Sequence, residues 1–175
     1  MPFEFNETPG EFPIEQQRLS NWCWAACAVS ISTFYEGKKI MTQLNLVSRV
    51  LSLPICATGK PIPACNRTLD LEIVLDKIQH LKGDPVEGPL SGQMLHAALK
   101  KGRPVGCQME LPAIGGHAVI VVSAKVDTMG TMFLRVADPS DGSINSMSFS
   151  SLRNNYRATG GRWIRSYFTK PANAD

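Results

Sequence analysis

The chain has 175 residues, 43% of them hydrophobic and 19% charged, with a formal net charge of +3. That length supports a sizeable core, and the composition excludes a disordered or fibrous chain. No apolar run approaches the roughly 18 residues that a membrane helix needs, so no membrane segment is expected.

Taken in order, the opening MPFEFNETPGEFPIEQQ is acidic and contains prolines. It lacks the basic start and apolar centre of a signal peptide, so the protein is expected to be cytosolic, to leave by another route, or to have had its signal removed. Residues 1–19 read as an extended lead-in. From Asn21 the pattern turns helical. Trp24, Cys27, Ile31 and Phe34 or Tyr35 recur at steps of three and four along one face. Ser20 or Asn21 can cap the start and Gly37 the end, which puts Cys23 in the first turn. A second helix is predicted from Thr42 to about Leu53, stopped by Pro54. Cys56 and Cys65 bracket ATGKPIPA, a spacing that suits a disulfide across a surface loop or two free thiols equally well. A third helix is predicted over 68–81, with Leu71, Val74, Leu75, Ile78 and Leu81 on its apolar face. A fourth covers 91–102, with Ser91 as cap and Gly102 beyond its end.

The character then changes. Segments 104–111, 117–126, 132–139, 143–149 and 162–169 are short, rich in β-branched and aromatic residues, and separated by Gly, Pro, Asp and Ser. A hairpin turn falls at about Thr128–Gly130. Helices followed by a mostly antiparallel sheet make the fold class α+β. The expected organisation is one domain over 1–175, with a helical part at about 20–102 and a sheet part at about 103–170.

Five cysteines leave at least one free in a monomer. There is no Cys-x-x-Cys pair and the three histidines are scattered, so no metal or other cofactor is expected. Between Gly142 and Ala174 there is no acid, while Arg153, Arg157, Arg162, Arg165 and Lys170 all fall there. That reads as solvated charge or as a basic face for an acidic partner. Nucleic acid is not an expected partner.

A cysteine in the first helical turn is chemically special, because helix N-terminal amides and the helix dipole favour a thiolate. It then needs a base. His117, in GGHAVIVVS, stands at the start of an apolar strand after two glycines that permit close approach. His80 and His96 lie within helices among polar neighbours and read as ordinary surface or boundary residues. An acceptor that holds the second ring nitrogen improves a base. Asp138, at the end of the next strand, is brought beside His117 by the hairpin. Asp141 is the fallback and reads better as a turn residue. Gln16 and Gln17 precede the cysteine, and either amide can donate to a developing oxyanion together with the Cys23 N–H. Cys27, one turn along, and Cys107 read as packed core thiols. Trp22 and Trp24 read as core or groove-lining aromatics. Trp163 is weighed as a shield for the His–Asp pair against ordinary core packing.

WCWAA at 22–26, GGH at 115–117 and ADP at 137–139 occur in the order found in papain-like cysteine peptidases. Over residues 16 to about 140 the chain resembles that family. It resembles most the bacterial branch of avirulence-effector peptidases and relatives of bacteriocin-processing peptidases. The resemblance implies a papain-like fold, with Cys23 as nucleophile, His117 as base and Asp138 as its orienting partner. It also selects Gln17, six residues before the cysteine, as the oxyanion donor. It implies hydrolysis of peptide or isopeptide bonds in a protein or peptide substrate by a secreted or delivered effector or toxin. A cognate inhibitor or immunity protein in the producing cell fits that picture. Bacteriocin-processing relatives carry Cys-Gly where this chain has Cys23–Trp24, which argues against double-glycine leader cleavage. The rival readings are deamidase, transglutaminase or amidase chemistry on the same triad, and a binding module that uses the basic C-terminal third.

Overall fold

The structure is a computed structural model and describes residues 4–5, 11–60 and 62–174. Along the chain run β1 (Glu4–Phe5), α1 (Cys23–Glu36), α2 (Gln43–Leu51), α3 (Leu71–Lys77), β2 (Val86–Glu87), α4 (Gly92–Leu99) and β3 (Val105–Leu111). These are followed by β4 (Gly115–Val126), β5 (Met132–Asp138), β6 (Ser143–Ser148), α5 (Phe149–Asn154) and β7 (Arg162–Phe168). The remainder of the lead-in, apart from β1 and residues from 11 onward, lies outside the described residues.

The sheet has the order β2-β7-β3-β4-β5-β6, with every pairing antiparallel. β1 pairs with Lys125 and Ala124, past the point where β3 stops on that side of β4. β4 explains its own sequence. Ala118, Ile120 and Val122 join one cluster with α1, α2 and α3, while Val119 and Val121 join a second cluster with α4 and α5. A strand covered on both faces has no polar side to show, hence the unbroken run AVIVV. The fourth predicted helix therefore belongs to the face opposite the first three.

Helix α1 is more deeply buried than one apolar stripe requires: Trp24 through Ser32 are all buried. The three small residues Ala25, Ala26 and Ala28, all fully buried, let the helix lie close to β4. Of its two buried serines, Ser30 donates to Ala26 O at 2.7 Å and accepts from Glu15 N at 3.0 Å, while Ser32 Oγ has no hydrogen-bond partner among the described residues. Gly37 ends the helix with φ of 67°, the left-handed stop that glycine makes without steric cost.

The third helix is shorter than predicted. Asp70 caps it by accepting from Glu72 N at 3.0 Å. It stops at Lys77 because Gln79 turns left-handed (φ 63°) and His80 N returns to Leu75 O at 2.8 Å. Residues 68–70 are thereby freed to run extended past the start of α1. The disulfide alternative holds at Cys56–Cys65, and both sulfurs are buried. Two short helical turns, Pro54–Ala57 and Pro63–Cys65, carry it. β2 and α5 carry no sequence signal: one is two residues long, the other sits in a serine-rich segment. Among the described residues no helix is long and apolar enough to cross a membrane.

Candidate active site

The N-terminus of α1, the start of β4 and the end of β5 converge at one rim of the sheet. Cys23 is the first residue of α1, and the N-cap is Trp22, with no side-chain cap. Neither predicted cap acts as one: Ser20 accepts from Asn66 Nδ2 and Asn21 donates its side chain to Asn66 O, both at 2.9 Å. The first-turn amides, which lack intrahelical partners, are thus not consumed by a capping side chain beside the Cys23 sulfur.

The two tryptophans have a structural task. Trp22 Nε1 donates to Cys65 O at 2.8 Å and Trp24 Nε1 to Arg67 O at 2.9 Å. They tie the helix start to the chain that leaves the disulfide, and Thr68–Asp70 beyond it becomes a wall beside Cys23.

His117 is the third residue of β4 and is only 7% exposed. The strand pairing from Val126↔Met132 down to Ile120↔Ala137 carries Asp138 into its reach, and the His117 Nε2–Asp138 Oδ1 distance is 2.8 Å. Cys23 lies in the same depression as the ring, close enough to act on its charge, and with Nε2 turned to Asp138 the other ring nitrogen, Nδ1, is left for the thiol. Burial disfavours the imidazolium, but the hydrogen bonds and charges of Asp138 and Cys23 outweigh it and push the His117 pKa up to about 9. Asp138 moves the other way. Burial opposes its charge, yet His117, Tyr156 and Ser140 N hold its carboxyl well below the usual range. The sequence thus brings three of its predicted residues together: Cys23, His117 and Asp138.

Asp138 has three further partners. Oδ2 accepts from the Tyr156 hydroxyl and lies 2.8 Å from Arg157 Nη2, while Ser140 N donates to Oδ1 at 2.8 Å. Tyr156 and Arg157 come from a turn after α5 in which Arg157 and Ala158 both have positive φ, 53° and 56°. The turn is closed by Tyr156 N to Gly161 O and by Gly160 N to Asn155 Oδ1, both at 2.9 Å. No spacing in the sequence pointed from residue 138 to 156; Asn-rich, Gly-rich NNYRATGG announced a turn and nothing about its target.

Gln17 lies in the same depression as Cys23 and His117. Its backbone N–H donates to Pro139 O at 2.7 Å, and its Nε2 donates to Leu19 O at 2.9 Å and Ser20 O at 2.7 Å. Both amide hydrogens are therefore engaged within its own loop. Gln16 instead donates to Ser140 O at 3.3 Å.

Other expectations divide. Asp141 is a turn residue, accepting from Ser143 N and Oγ and pairing with Arg157. Cys27 is buried and its thiol donates to Ala118 O at 3.4 Å; Cys107 is buried in β3. His80 is not a surface residue: it is buried, stacked on Tyr35, with Nδ1 2.9 Å from Lys170 O. Trp163 packs edge-on to Phe149 in the second cluster and donates to Arg165 O; the aromatic bonded to the His–Asp pair is Tyr156. The basic C-terminal third is largely spoken for. Arg157 pairs with Asp138 and Asp141, Arg162 with Glu110, and Arg165 with Asp70 and Glu87. β7 lies between β2 and β3, so its arginines meet acids on their neighbours and on residue 70 instead of forming one bare face.

Two depressions of about 610 Å³ each meet at Cys23, Thr68 and Gly116. One adds Trp24, Leu69, Asp70, Glu87, Gln108, Ile164 and Arg165, and the other His117, Ile114, Ser140 and the loop 17–21. A Cβ at Gly116 would stand 2.8 Å from Gln108 Nε2, so a side chain there would displace that amide from the groove wall.

The sequence profile of a family described as the papain-like cysteine protease AvrRpt2 matches residues 7–157. No curated protein matches the chain by sequence. Among solved structures, the fold is similar to the Amb a 11 cysteine protease, a major ragweed pollen allergen, in its proform. The TM-score is 0.52 at 13% identity over 92% of this chain, which spans 62% of that protein's length. It is also similar to the bromelain protease of Ananas comosus, solved in complex with the E64 inhibitor, with TM-score 0.55 and 14% identity over 96% of this chain and 98% of that one. Likeness at these identities is one of fold.

Proposed function

The chain belongs to the family of papain-like cysteine proteases represented by AvrRpt2, and from that premise we propose that it hydrolyses peptide or isopeptide bonds through a thioester on Cys23. The observation that carries the reading is the His117–Asp138 hydrogen bond beside Cys23 at the first turn of α1, with Cys23 and His117 lining one groove. Residues 1–175 are read as one peptidase domain.

In this mechanism Cys23 and His117 rest as a thiolate–imidazolium pair. The sulfur attacks the substrate carbonyl carbon, and the carbonyl electron pair moves to oxygen. The Cys23 N–H at the uncapped helix start holds that oxyanion. Gln17 joins it by releasing Leu19 O or Ser20 O, so its amide is a donor exchanged during the step. Collapse of the intermediate breaks the C–N bond, and the amine leaves with the proton from His117. Water then gives a proton to His117 and its oxygen to the acyl carbon, and the thiolate is released. Asp138 keeps the ring aimed throughout.

Membership in this family supports, within the same proposal, a bacterial effector or toxin that is secreted or delivered, acts on a protein substrate and is restrained at home by a cognate inhibitor. The test is mass spectrometry of a lysate treated side by side with wild type and Cys23→Ala. New peptide termini in the wild-type sample alone are expected. Deamidation or amine incorporation without new termini would transfer the triad to deamidase or transglutaminase chemistry, and identical samples would overturn the enzyme.

A further inference from the structure

We infer that the groove is electrically polarised about Cys23, taking a basic residue on the acyl side of the scissile bond and an acidic residue on the leaving-amine side. This rests on the peptidase reading above and adds the substrate class.

The direction of the substrate follows from the chemistry. The departing amine takes its proton from His117, so it lies in the depression that contains His117. The acyl side then occupies the other depression, which shares Cys23, Thr68 and Gly116 and lacks the histidine.

The two sides carry opposite charge. The charged side chains lining the acyl side are Asp70, Glu87 and Arg165. Arg165 is spent on both carboxylates: Nε donates to Glu87 Oε1 at 2.8 Å and Nη1 to Asp70 Oδ2 at 3.0 Å. The surplus is one negative charge. Asp70 is further engaged by the Tyr167 hydroxyl at 2.8 Å and by Glu72 N. Both Arg165 contacts to Glu87 end on Oε1, and the Glu87 side chain is 76% exposed. Its Oε2 is the acceptor offered to a cation. Leu69, Ile164 and Trp24 line the same depression and supply apolar surface for the stem of a lysine or arginine. On the amine side Arg18 is exposed, and no carboxylate lines the depression among the described residues.

The test is a cleavage-site profile on a chymotryptic peptide digest of a proteome, which keeps both charge types inside peptides, with Cys23→Ala as control. Lysine and arginine should be enriched within three residues on the acyl side, and aspartate and glutamate within three on the amine side. Matched peptides with glutamine at the charged positions then give a ratio of kcat/KM, charged over neutral. Glu87→Lys should lower the ratio for the basic position about fivefold, near the ceiling for an exposed ion pair. Arg18→Glu should lower the ratio for the acidic position similarly. Cys23-dependent cleavage with no charge asymmetry, or ratios that neither variant moves, overturns this inference and leaves the peptidase standing. Absence of any Cys23-dependent cleavage overturns both.

Discussion

Tyr156 donates its hydroxyl to Oδ2 of Asp138, while His117 and Ser140 N share Oδ1, so the two oxygens of one buried carboxylate face different tasks. Removing the phenolic oxygen in Tyr156→Phe is expected to cost about 1.5–3 kcal/mol of stability, the range for a hydrogen bond to a charged group. Because the ring loses part of its support, kcat/KM should fall about tenfold; Asp138→Asn, which presents the wrong hydrogen-bond pattern to the imidazole, should lose about 10²–10⁴. Urea unfolding and steady-state kinetics on the two variants check both.

His117 has a folded-state pKa near 9, above its ordinary 6.5. The native protein therefore holds this proton more tightly than the unfolded chain. Its stabilisation is complete below about pH 6.5 and is lost as pH rises through about 9. Denaturation of wild type and His117→Gln across pH 6–10 should show a gap that narrows with pH. The rate of epoxide labelling at Cys23 should fall over the same alkaline limb. Arg157 shares Asp138 with the ring, so Arg157→Gln, by removing a competing cation, should move that limb to higher pH.

Ala158 is exposed and sits at φ 56°, next to Arg157 at 53°. A left-handed alanine costs about 1–2 kcal/mol, and glycine returns part of that in unfolded-state entropy. Ala158→Gly should raise stability by about 0.5–1 kcal/mol, read as a higher thermal midpoint. An unchanged or lower midpoint would remove strain from the account of this turn.

Trp24→Phe keeps the aromatic bulk and removes the bond to Arg67 O. The expected loss is about 0.5–1.5 kcal/mol, together with a raised KM, because residues 68–70 are groove wall. Stability loss with KM unmoved would show the indole to be a packing group alone.

Cys27 is a full turn from Cys23 and fully buried, and burial pushes its thiol pKa well up. Cys27→Ala should cost about 1–2 kcal/mol as a small core truncation and still label with the epoxide. Loss of labelling with the fold intact would assign Cys27 a role beyond packing.

Much of this was legible from residue types and spacing. The period-three-and-four pattern after Asn21, the unbroken apolar run of β4 and the turn near Thr128–Gly130 are local signals, and each produced its element. The hairpin predicted His117 and Asp138 at the same end of the sheet, while the register shift between Val121 and Ser123, which sets how far apart they fall, had no sequence signal. What stayed hidden is what depends on distant chain. The caps of α1 were misassigned because Ser20 and Asn21 are engaged by Asn66, 46 and 45 residues away. His80 looked superficial because its helix was expected to continue, whereas the left-handed turn at Gln79 sends it into the core. Tyr156 and Arg157 reach Asp138 from a strained loop, and a strained loop advertises no destination.

Cys65 of the buried Cys56–Cys65 bridge accepts the Trp22 indole on its own carbonyl, and Arg67, two residues on, accepts that of Trp24. A thiol enzyme built this way needs one sulfur kept reduced while two others stay joined. Mild reductant should revive an oxidised Cys23, and strong reductant under partial unfolding should open the bridge and slacken the wall. Activity plotted against dithiothreitol is thus expected to climb, level off and then decline, and the width of that plateau reports how well the interior guards its own covalent tie.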